Sequence, residues 1–399
     1  MAVTAVTAAW PRREIHVVGL VGAAHLLSHL YMLALVPLYP LIQPEIGTSW
    51  TGIGAAITVF AAVTGVLQTP IGFVVDRVGG RIVLIAGLFV FSAAVGLIGF
   101  IESLWQLIAL MALAGVGNSV FHPADYSIIS VAIDEKRLGR AFSIHALGGQ
   151  AGFVAAPVLM VVLQAGFGWR TGLFIIGIAG VVLSLFMALA GRVIGHGGET
   201  KKKDEDALSW RELVTSRPLL LMFVFYVGAA GASTGIIQFS VKAFNDIYGL
   251  PVAAAAVVLT VYQAMGMLLV LPGGMLADRT GRHELIMAGG FVLASVLVIV
   301  AGMGFVPFWL LIGVMGVAGA ARGFVNASRD VSVRHAAEGK SVGTVFAFVS
   351  TGFLVGQAIS PPIYGLLLDF GSSEIVFWVS AAFSLIAAAT VYPVRTAKN

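Results

Sequence analysis

Four histidines and one aspartate interrupt otherwise apolar stretches of this chain. His25 and His29 are four residues apart, Asn118, His122 and Asp125 are spaced four and three apart, and His145 lies in a further apolar stretch. On a helix each of the first two sets shares one face. Histidine changes charge near neutral pH, so a His-x-x-x-His pair inside a membrane suits a proton relay. It equally suits hydrogen bonding between helices by neutral imidazoles. A metal site would need a third or fourth ligand, and no carboxylate lies near the pair in sequence, so no metal and no cofactor is expected. The proton-coupling set expected from these patterns is Asp125, His25, His29 and His122. If the stretch from residue 15 is helical, the two imidazoles of the pair lie about 15 and 21 Å from its start.

A second polar set follows from an internal repeat. GGQAGFVAAP at 148–157 matches GFLVGQAISP at 352–361, with Gly148, Gly152 and Pro157 falling on Gly352, Gly356 and Pro361 at an offset of 204. The same offset carries Asn118, His122 and Asp125 onto Arg322, Asn326 and Arg329. One stripe is therefore Asn-His-Asp and its counterpart Arg-Asn-Arg. A guanidinium grips carboxylate or phosphonate oxygens in a bidentate fork, which makes Arg322 the candidate anion ligand. Its alternative role is an ion pair with Asp125 across the repeat. Arg322 lies roughly 22 Å along a helix from Pro307, past the middle of a bilayer. The expected substrate contacts are Arg322, Asn326, Asn118, His122, His29, Tyr31, Gln150 and Gln357. Arg329 and Asp330 read as a structural pair, and Lys242 as a cation snorkelling to the interface.

These residues need elements that hold them in lipid. The chain has 399 residues, 59% hydrophobic and 11% charged, against a usual charged share of about a quarter. No soluble globule of this length hides so much apolar surface. Stretches free of Lys, Arg, Asp and Glu place spans near 15–42, 51–75, 82–101, 103–132, 139–166, 170–192, 218–243, 251–277, 284–304, 307–333, 340–368 and 374–394. They are too long and too little alternating for barrel strands, so the fold class expected is an all-α membrane protein with twelve transmembrane helices in two pseudo-symmetric six-helix bundles. The bundles run over 1–194 and 218–399, joined by a polar segment at 195–217 that contains KKKDED and a short surface helix near Ser209–Leu213. With the N-terminus inside, 19 of 23 Lys and Arg residues fall on the cytoplasmic side. That bias sets both termini in the cytoplasm of an inner-membrane protein and accounts for the net charge of +4 without nucleic acid. The N-terminus lacks the layout of a cleaved signal peptide. With no cysteine there are no disulfides or thiolate clusters, and with no Walker sequence the chain does not itself hydrolyse ATP.

Two loops carry a family resemblance. GFVVDRVGGR at 72–81 follows the second span and GMLADRTGRH at 274–283 follows the eighth. Gly72, Asp76, Arg77, Gly79 and Arg81 in the first, and Gly274, Asp278, Arg279, Gly281 and Arg282 in the second, match Gly-x-x-x-Asp-Arg-x-Gly-Arg-Lys, the signature of the major facilitator superfamily. HLLSHLYMLALVPLYPLI at 25–42, SVFHPA at 119–124 and GRAFSIHALGGQAG at 139–152 resemble the fosmidomycin-resistance-like branch. In that branch the position of His29 is often Asp, and the Arg that drug exporters commonly carry early in the fourth span is replaced here near Met111. The resemblance implies a proton-driven exporter of a small anion. It also implies that the signature residues act as a conformational gate, charge pairs latching the cytoplasmic ends of the two halves. Asp125 then has two readings, proton carrier or partner of Arg81.

The expected function is a monomeric, proton-coupled secondary transporter in the lipid bilayer, moving a small organic anion by alternating access. An exporter of amphiphilic drugs or lipids is the alternative. A membrane enzyme or sensor subunit is disfavoured, because the polar linker is far shorter than a domain.

Overall fold

A computed structural model describes residues 10–190, 210–337 and 342–396. Most of the linker, including Lys201 to Lys203, and Arg192, Lys340 and Lys398 lie outside the described residues. Among the described residues every regular element is helical. In lipid a helix satisfies its own backbone, and the apolar runs are long enough to cross.

The spans run Arg12–Glu45, Trp50–Val78, Gly80–Ile98, Leu104–Ala132, Glu135–Phe167, Trp169–Leu189, Arg217–Tyr248, Val252–Ala277, His283–Gly302 and Phe308–Ala336. They finish with Val342–Asp369 and Ile375–Thr396. A short helix at Trp210–Thr215 precedes the seventh, close to the surface helix expected at Ser209–Leu213. Ser49, Ser103 and Asp134 cap the second, fourth and fifth spans by accepting from backbone N–H groups. The second and third spans meet at Gly79, whose φ of 94° only glycine adopts without strain.

Several spans break, and prolines mark the breaks in the first, fourth and eighth. The fourth stops at Asn118 and restarts at Phe121; the eighth stops at Leu268 and restarts at Val270. Pro123 and Pro272 are each third in the restarted helix, where an N–H would have no intrahelical partner. The tenth breaks at Val325 without a proline.

The sequence repeat is a packing repeat. In the first half span one packs on five, three on six and two on four; in the second, seven packs on eleven, nine on twelve and eight on ten. The repeated glycines explain the closest of these. A Cβ at Gly148 would stand 3.2 Å from the carbonyl oxygen of Gly22, and one at Gly152 would run into the Leu26 carbonyl. Their counterparts Gly352 and Gly356 would meet the carbonyls of Phe223 and Val227 at 2.5 and 2.6 Å. Span five is thus drawn onto span one, and eleven onto seven, by the same device.

Between the halves, span two packs on eleven and five on eight. The Asp369 carboxylate accepts from the backbone N of Trp50 (2.7 Å) and of Thr51 (2.9 Å) and from the Thr51 hydroxyl (2.6 Å). Deeper along the same seam the Thr58 hydroxyl donates to the Ala358 carbonyl at 2.6 Å. Lys242, paired with Asp246, stands 5.3 Å from the centroid of the Trp50 ring. This closed end lies opposite the signature loops. At the loop end Gly72 has open space where a Cβ would stand, and Phe73, Asp76 and Arg77 are exposed.

Candidate functional site

The first half gathers its histidines around one carboxylate. Asp125, fully buried, comes from the restarted segment of span four. Nε2 of His145, from span five, lies 2.9 Å from Asp125 Oδ2, and Nδ1 of His25, from span one, lies 3.3 Å from the same oxygen. The His25 and His145 rings stack with centroids 3.8 Å apart; His29 and His122 stand 4.3 and 5.6 Å from His25. Helical spacing could not show that these residues meet, because they come from three different spans. The tight seam of spans one and five brings them in: a Cβ at Gly149 would lie 2.7 Å from both His25 Nε2 and His29 Cε1.

Asp125 Oδ1, His25 Nδ1 and His29 Nδ1 are buried without hydrogen-bond partners. The cluster's accessible edge is His122 and Tyr126, both exposed. The Tyr126 ring stands 5.8 Å from His122 and 5.7 Å from His145. Ligating atoms of His25, Asp125 and His145 fall within 4.8 Å of one another. Two imidazoles binding one ion need ring planes that intersect at it, since the lone pairs lie in the planes. The stacked pair, with planes 24° apart, instead presents ring faces to each other and edges to Asp125.

In the second half Arg322 projects from span ten toward span eight. Its Nη2 donates to Gln263 Oε1 at 3.0 Å, and its guanidinium carbon stands 5.0 Å from the centroid of the Tyr262 ring. Among the described residues no carboxylate lies within 4.0 Å of it, so the ion pair with Asp125 considered from the sequence is not formed. Asp125 likewise pairs with histidines rather than with Arg81. Gln263 belongs to span eight and Arg322 to span ten, while His145 and Gly149 belong to span five, which packs on eight across the halves.

Other expected contacts are engaged elsewhere. Tyr31 is buried in the first half, its hydroxyl donating to the Ile176 carbonyl at 2.8 Å and its ring against Phe91, so packing accounts for it. Asn118 donates to the Thr64 hydroxyl at 3.4 Å. Gln150, Gln357 and Asn326 are half-buried, on spans five, eleven and ten. Arg329 pairs with the adjacent Asp330 at 2.9 Å and lies over Tyr226. Of the signature residues, Asp278, Arg279, Gly281 and Arg282 are exposed, Gly274 and Arg81 half-buried. His145 and Tyr126 are the members that helical spacing did not place in the site. The available signal for His145 was its isolation as an ionisable group within an apolar span.

The family model described as Major Facilitator Superfamily matches residues 21–268 and 229–399. The chain is 25% identical over 284 residues to a probable L-galactonate transporter of Escherichia coli (strain K12), covering 65% of this chain and 62% of that protein. It is 24% identical over 396 residues to the fosmidomycin resistance protein of the same strain, covering 96% and 93%. Its fold is similar to the crystal structure of a bacterial homolog of the human lysosomal transporter Spinster in an inward-facing and occupied conformation. There the TM-score is 0.82 at 15% identity, over 97% of this chain and 98% of that one.

Proposed function

We propose a specific transport reaction on one premise: the chain belongs to the major facilitator superfamily. It is a multi-span membrane transporter and not an enzyme. Within that class, the reading we favour is a proton-coupled secondary transporter that carries a small organic anion, with export as its direction. The observation that carries this reading is that the two halves hold unlike polar groups within their spans. The first half holds a buried carboxylate between two imidazoles, the second a guanidinium with no carboxylate partner among the described residues.

The physics of each group supports its role. Net charge deep in a bilayer is costly, so gain or loss of a proton by the carboxylate and its imidazoles changes the cost of burying them. Arg322 carries permanent charge and offers a forked donor, so an anionic cargo lowers its cost. Asn326, Gln150 and Gln357, half-buried on spans ten, five and eleven, are offered as further donors and acceptors. Export driven by a proton gradient then requires that cargo leaves and a proton enters when the end now closed at Asp369 opens and the signature loops close. With the termini in the cytoplasm, as the distribution of Lys and Arg favours, the open end faces the cytoplasm and the structure represents the loading state. One copy holds both groups, so a monomer suffices.

The names of the relatives supply probes: galactonate and fosmidomycin, tested for binding to purified protein. Arg322→Gln should lower affinity for the anion that binds by about tenfold or more, and Arg322→Lys by less, as loss of a charged hydrogen-bond partner costs about 1.5–3 kcal/mol. Unchanged affinity in a well-folded Arg322→Gln protein would remove Arg322 from the substrate site.

A further inference from the structure

Beside Arg322 lies a cavity of the second half, lined by spans seven, eight, nine, ten and twelve. It measures about 30 Å3 and is lined by Arg322 together with Tyr262, Ile236, Phe291, Ser295 and Ser380. The buried Nε of Arg322 has no hydrogen-bond partner. Its charge is met only by a neutral amide oxygen and a ring face, with no carboxylate within 4.0 Å among the described residues. A guanidinium at this depth calls for a counter-charge.

We propose that this cavity is a halide site in which Arg322 holds a single chloride ion. The size fits: the space beside the guanidinium has room for a monatomic anion. The donors fit as well. The hydroxyls of Ser295 and Ser380 already donate to the carbonyls of Phe291 (2.8 Å) and Val376 (2.7 Å), which leaves the guanidinium as the strong donor facing the space. The apolar remainder of the wall suits a weakly hydrated halide better than a compact, strongly hydrated anion such as fluoride. Chloride would then be the resting counter-ion of Arg322. This rests on the proposed transport function in one respect only, that an organic anion reaching the same guanidinium displaces the halide.

The test is the line width of 35Cl in chloride solutions of the purified full-length protein, with bromide as competitor. The wild-type protein should broaden the resonance, bromide should reverse the broadening, and Arg322→Gln should lose most of it while Arg322→Lys retains a part. Equal broadening by wild type and by a monodisperse, helical Arg322→Gln protein overturns the site. Should that variant not fold, crystals of the unchanged protein soaked in bromide decide. An anomalous peak at hydrogen-bond distance from the Arg322 guanidinium supports the site, and bromide elsewhere only, or nowhere, overturns it. Addition of galactonate separates the two proposals. Narrowing of the line ties halide and cargo to one guanidinium, whereas persistent broadening keeps the halide site and counts against the cargo role of Arg322.

Discussion

Gly149 is the residue on which the histidine cluster most plainly depends, because its missing side chain is what lets spans one and five close around His25 and His29. Gly149→Ala would place a methyl group 2.7 Å from both imidazoles. Overpacking of this kind costs about 1–3 kcal/mol, so we expect a lowered melting temperature in detergent and loss of transport. An unchanged melting temperature would mean that the rings yield freely. At His145 the expectation is chemical. His145→Gln keeps a polar side chain beside Asp125 but cannot take up a proton at neutral pH, so the variant should fold and yet transport with a flatter dependence on pH. A profile identical to that of the wild type would place the proton site elsewhere. Residue spacing made His25, His29, His122 and Asp125 legible as helix faces. It could not show that Asp125 and His145 meet, since that distance is set by how spans four and five pack. Tyr31 misled for the same reason: its type suits a ligand, and only the packing of span one on span six shows its hydroxyl spent on Ile176.

At the scale of elements, the closed end is held by a helix terminus of one half capped by the other. Asp369, at the end of span eleven, accepts two backbone N–H groups from the first turn of span two, where the helix leaves its donors unpaired and its dipole favours a negative charge. Asp369 is itself exposed, so we discount the charge-assisted bonds for screening to about 1 kcal/mol, a severalfold shift in population. Asp369→Ala should therefore increase the fraction of molecules open at this end. The chain has no cysteine, so spin labels on cysteines introduced at Glu102 and Ser372 would report the distance without background. A distance distribution that does not move would show that Asp369 does not hold the end shut. The elements were the most legible part of the sequence, because apolar runs bounded by charges and a repeated glycine pair are local signals. The break in span ten at Val325 had no such signal, as no proline marks it.

For the whole molecule, the account turns on a duplicated scaffold whose two halves have diverged in charge. The same packing repeat that brings a carboxylate and four histidines together in the first half brings an arginine against a glutamine in the second. A symmetric pair of groups could hold a cargo; an unlike pair gives an anion and a proton separate sites in one molecule, and that is the central claim. The measurement that tests it most directly is transport of the bound anion in proteoliposomes containing the wild type, Asp125→Asn or Arg322→Gln. Each is assayed for accumulation driven by a pH gradient and for exchange without one. The account predicts that the wild type accumulates the anion only while the gradient lasts. It predicts that Asp125→Asn loses accumulation but keeps exchange, and that Arg322→Gln loses both. Gradient-driven accumulation by Asp125→Asn at the wild-type level, or exchange by Arg322→Gln at the wild-type rate, would contradict it.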